Sequence, residues 1–150
     1  MPCEPISDVA EWTGRLQDSE LRACMRKLMD IIHLEIPLEL IDFALELIRL
    51  TEALILERTI RISFLLEQDA CINVVMDQLG AALSPEVNKL KNIMNERKAA
   101  LDAERAALAL SVGPQGLPAQ VVMLTRIKDE MVCQKANATF FTGIIDGIAP

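Results

Sequence analysis

The chain has 150 residues, of which 51% are hydrophobic and 25% charged, with a formal net charge of −7 at pH 7. That is ample apolar surface for a core, which excludes a disordered tail, and the acidic balance disfavours nucleic acid as a partner. The apolar surface comes mainly from Leu, Ile, Met and Ala, with no Tyr and only one Trp and four Phe, a composition that suits helices better than the strands of a sandwich or barrel.

In chain order, residues 1–6 read as a flexible arm. Ser7-Asp8 can cap a short helix carrying Val9, Trp12 and Leu16, with Asp8 and Glu11 at the capping-box offset. Asp18-Ser19 opens a second helix whose apolar positions are Leu21, Cys24, Met25, Leu28, Ile31 and Ile32, at steps of three and four. It should end near Leu34, because Ile36 precedes Pro37 and the residue before a proline avoids the helical region. Pro37 then suits the first turn of a third helix. In that helix Glu39, Asp42, Glu46 and Arg49 form one narrow polar stripe, and nearly everything else from Leu38 to Leu66 is apolar. The apolar surface is too broad for one core-facing stripe. A restart near Thr51 is expected, followed by a further helical series from Gln68 to Leu79 with Gly80 as its stop.

Ser84-Pro85-Glu86 combines a cap, a first-turn proline and an acidic residue near the positive helix end. The helix it starts should run to about Leu110, presenting Val87, Leu90, Met94, Leu101 and Leu108, with Arg97 and Glu104 in the intervening slots. Residues 111–118, which contain Gly113-Pro114-Gln115-Gly116, read as a hinge. A last helix should follow to about Ala138, and the tail from Phe140 to Pro150 is apolar but punctuated by glycine. The uncharged run Ala106–Thr125 is cut by that hinge, and Leu38–Leu66 carries eight acidic or basic side chains, so neither reads as a membrane span.

Chemistry-bearing patterns are scarce. His33, the lone histidine, sits in a final helical turn. The four cysteines, Cys3, Cys24, Cys71 and Cys133, are far apart and read as reduced thiols, two or three of them buried as small hydrophobes. Asp42 and Glu46 lie one turn apart, but the Glu-x-x-His partner of a carboxylate-bridged metal site is missing. Gly113-Pro114-Gln115-Gly116 has neither the Lys nor the preceding strand of a phosphate loop. Lys89, Lys91, Arg97 and Lys98 alternate with acidic residues and read as a salt-bridged helix surface. No cofactor or metal is expected. Met1-Pro2-Cys3-Glu4-Pro5 is not a secretory leader, which points to the cytoplasm or nucleus.

The expectation is an all-α, compact helical bundle of five to six helices, with a long, highly apolar central helix and a C-terminal helical hairpin, folded as a single domain over 1–150. Its surplus of apolar helix surface points to a non-catalytic interaction or assembly module, a homodimer or a subunit of a larger complex. The partner is then itself or another helical protein, with no nucleic acid and no membrane insertion. The interface is expected on Leu40, Phe43, Leu47, Leu50 and Leu54. The alternative is a carrier of a small apolar ligand in a helical cavity.

Overall fold

The computed structural model describes residues 2–81 and 84–148, and among these every regular element is α-helical. Met1, the first residue of the expected arm, lies outside them, as do Ala82, Leu83 and the last two residues of the expected tail. In chain order the elements are α1 (Val9–Arg15), α2 (Ser19–Glu35), α3 (Leu38–Leu79), α4 (Pro85–Val112) and α5 (Leu117–Gly147). Four are long; α1 has only seven residues.

Local chemistry starts three of them. The Asp8 carboxylate accepts the Glu11 backbone N–H at 3.0 Å, and the Asp18 carboxylate accepts that of Leu21 at 2.9 Å. The Ser84 hydroxyl accepts the Val87 N–H at 3.1 Å, with Pro85 at the first helical position. Each cap satisfies a donor that the first helical turn leaves unpaired.

Three expected boundaries are absent. The break near Thr51 and the separate series from Gln68 do not occur: α3 runs unbroken for 42 residues, because no Gly or Pro interrupts it. It stops at Gly80, whose φ of 50° is left-handed and whose N–H donates to the Met76 carbonyl at 3.1 Å, a conformation that costs a glycine nothing. Nor does the last helix end at Ala138. It continues through Gly143, since Phe141 and Ile145, one turn apart, are both buried against Leu16 and Met29. Burying two large side chains contributes roughly 1.5–3 kcal/mol each, more than the roughly 1 kcal/mol a helical glycine costs.

Packing within the chain is not uniform. The chain divides into two compact units, one formed by Met1–Ile48 with Val122–Pro150 and the other by Arg49–Val121. A helix of 42 residues is about 63 Å long, which outruns one core. The first unit is built on Leu16, Met29, Ala138, Phe141 and Ile145, with the Trp12 ring edge-on to Phe141 at 4.9 Å. The second is an antiparallel pairing of α3 with α4 around Leu65, Ile72 and Leu101, flanked by Met76, Met94 and Leu108. The hairpin is therefore α3 with α4, not the expected pairing of the last two helices; α5 packs with α1 and α2 in the first unit.

Between α4 and α5 the chain turns at Gly113–Gly116, where the Gly116 N–H donates to the Gly113 carbonyl at 2.9 Å. A Cβ at Gly116 would lie 2.7 Å from the Leu110 carbonyl oxygen and closer still to that of Ser111. Only a residue without a side chain fits there.

Candidate interaction surface

Of the five positions expected at an interface, Leu40, Phe43 and Leu50 are exposed by 41%, 59% and 51%, and Leu47 and Leu54 are half-buried. In the first unit α3 turns Ile41 and Ala44 inward, where both are buried. Leu40 and Phe43, one position before each, consequently lie on its outer side. In the first unit α3 therefore carries apolar side chains that are buried within the chain and others that stay open.

In the second unit the surplus continues. Leu54, Ile60, Phe64 and Leu108 line a groove of about 530 Å³ together with the charged Glu57, Arg58 and Arg61. Phe64 also lines a second groove of about 430 Å³ with Cys71, Ile72, Met94 and Arg97. Sequence reasoning named Leu54 but not Ile60 or Phe64. The signal was present, since Phe43, Leu50 and Phe64 fall on one seven-residue spacing that Glu57 interrupts.

The polar rim is held by pairs across the helices. Arg61 donates to both Glu104 carboxylate oxygens, at 2.9 and 3.2 Å, and its guanidinium lies 5.6 Å from the centre of the Phe64 ring. Arg97 donates to the Gln68 side chain at 2.8 Å, and Lys98 donates to Asp69 at 2.7 Å and to Asn73 at 3.1 Å. Within the basic stretch of α4, Lys98 thus pairs with Asp69 on α3 and Lys89 with Glu86 on its own helix, whereas Arg97 meets the uncharged Gln68. The hydrogen bond from Arg61 holds the Glu104 carboxyl below its ordinary range and raises the arginine, and the hydrogen bond from Lys98 does the same to Asp69.

The cysteine expectation is overturned. Cys3 and Cys133 form a disulfide, and the remaining Cys24 and Cys71 are exposed rather than buried. Widely spaced cysteines gave no local sign of this, because the pairing joins the arm to α5 across a sequence separation of 130. Hydrogen bonds also join the described part of the arm to α5. Cys3 N–H donates to the Glu130 carboxylate at 2.9 Å, Ile6 N–H donates to the Asn137 side-chain oxygen at 3.0 Å, and the Asn137 amide donates to the Glu4 carbonyl at 2.9 Å. A hydrogen bond from Gln134, helped by the one from Cys3, lowers the Glu130 pKa.

His33 lies in the last turn of α2, and Asp42 and Glu46 are on the exposed side of α3. Among the described residues no three His, Cys, Asp or Glu side chains gather as a metal site would require. One helical stretch, Pro85–Gly147, is long and apolar enough by length and composition to cross a membrane; the turn at Gly113–Gly116 divides it. Comparison with known proteins brings no match from any protein-family model, curated protein or solved structure.

Proposed function

We propose that the chain is a non-catalytic helical assembly module that binds a second copy of itself or another helical protein through the outer face of α3. The observation that carries this reading is the number of large apolar side chains left open along that helix, Leu40 and Phe43 in the first unit and Leu50, Leu56, Ile60 and Phe64 in the second. Grooves open to solvent and lined in part by charge suit a docked amphipathic helix better than the enclosed cavity a small-ligand carrier needs.

Phe43→Glu tests the reading. Because Phe43 is mostly exposed, the substitution should leave the circular dichroism of the isolated chain unchanged. In sedimentation, wild-type chain, alone or with its helical partner, should form a complex that the variant loses. Equal assembly by the two proteins would overturn the role of this face.

A further inference from the structure

We propose that the Cys3–Cys133 disulfide is a redox-operated latch, which holds the N-terminal arm on one face of α5 when oxidised and releases it when reduced. The arm has no helix or strand from residue 2 to residue 8, so its position depends on a few discrete contacts. Those contacts come from one face of α5. Glu130, Cys133 and Asn137 are three and four residues apart and therefore line up along the helix. Glu130 takes the Cys3 N–H, Cys133 takes the sulfur, and Asn137 clamps Glu4 and Ile6 through both ends of its amide. Among the polar and covalent contacts with α5, the disulfide is the one that water cannot compete for. Two of the other three are hydrogen bonds to half-buried side chains, each worth only about 0.5–1.5 kcal/mol net.

The sulfurs are placed for exchange. Both cysteines are half-buried rather than enclosed, and beside them the arm and α5 flank a groove of about 610 Å³ lined by Pro2, Cys3, Ile127, Glu130 and Met131. The Asn137 amide nitrogen lies 3.3 Å from the Cys3 sulfur and 3.7 Å from that of Cys133. A donor in that place stabilises the thiolate that leaves when the bond is cut and attacks when it re-forms. The reductant is a dithiol. One of its thiolates attacks a sulfur of the pair and forms a mixed disulfide, and its second thiolate then displaces the remaining cysteine. Two electrons and two protons thus pass to Cys3 and Cys133, and the dithiol becomes a disulfide. A peroxide, reduced to water, reverses the change. Where a disulfide forms in a reducing compartment, it is usually transient and either catalytic or redox-sensing.

The arm leads directly into α1: Ile6 packs against the first core, and Asp8 caps the helix. Release should therefore loosen the arm and α1 without reaching the α3–α4 pairing. The test is backbone amide exchange of the isotope-labelled full chain by NMR, with the protein oxidised and then treated with dithiothreitol. The Ile6 amide should exchange at least about tenfold faster after reduction, while amides around Leu65 and Leu101 keep their protection. Cys3→Ser should show the fast exchange without reductant, and Cys24→Ser/Cys71→Ser should keep the full response. Unchanged protection of Ile6 after reduction would overturn the latch, as would loss of protection throughout the chain. So would alkylation of four thiols in the peroxide-treated, denatured protein.

Discussion

Adjacent leucines on α3 show how little residue type alone says about energetics. Leu65 is fully buried between α3 and α4, and Leu66 is 49% exposed. Leu65→Ala should cost about 2–5 kcal/mol, the range for emptying a packed leucine site, read from the urea midpoint. Leu66→Ala should cost under about 0.5 kcal/mol in dilute protein. A larger effect at Leu66 that appears only at high protein concentration would mark it as covered by a partner. At the turn, Gly116→Ala forces a Cβ against two backbone carbonyls that cannot rotate aside. A loss of about 1–3 kcal/mol is expected, comparable to overpacking a core. Gly143 has open space around the same atom, so Gly143→Ala should stabilise α5 by up to about 1 kcal/mol.

At the scale of the elements, the α3–α4 pairing combines one narrow apolar seam with a charged rim. The folded-state pKa values of Asp69 and Glu104 are depressed. Their contribution is therefore present above the ordinary carboxylate range and is lost as pH falls through it, from roughly pH 4 downward. Thermal stability should be flat near neutrality and decline in that acid window. Glu104→Gln should make the decline shallower, because it removes one of the titrating groups. Both carboxylates are on the solvated rim, so the effect should also shrink in high salt. Ser84→Ala removes the cap of α4 and should cost about 1 kcal/mol, visible as faster amide exchange in the first turn of that helix.

Across the whole molecule, many large apolar side chains stay open, among them Leu28, Phe43, Ile60 and Leu110. If assembly covers them, the thermal midpoint should rise with protein or partner concentration, because a species that binds only the folded chain stabilises it by mass action. A midpoint independent of concentration for the pure chain would exclude self-association and leave a different helical partner as the binder. Helix content is not the discriminating observable here, since 86% of the described residues are already helical without a partner.

The sequence by itself determined the helical class, the caps at Asp8, Asp18 and Ser84, the stop at Gly80 and the turn at Gly113–Gly116. These are short-range effects: three- and four-residue periodicity, side chains that bond their own first turn, and backbone angles open only to glycine. It also showed that α3 carries more apolar faces than one neighbour can cover. Which of them stays open was decided only by tertiary structure, because Ile41 and Leu40 are equally apolar and differ only in what the fold places beside them. The division into two units, the pairing of α3 with α4 rather than α4 with α5, and the extension of α5 through Gly143 belong to the same class. Each depends on contacts between residues far apart in the chain, such as Leu16 with Phe141 or Leu65 with Leu101. The Cys3–Cys133 bond is the extreme case. No local pattern marks either cysteine, and only the docking of the arm along Glu130, Cys133 and Asn137 brings the two sulfurs together.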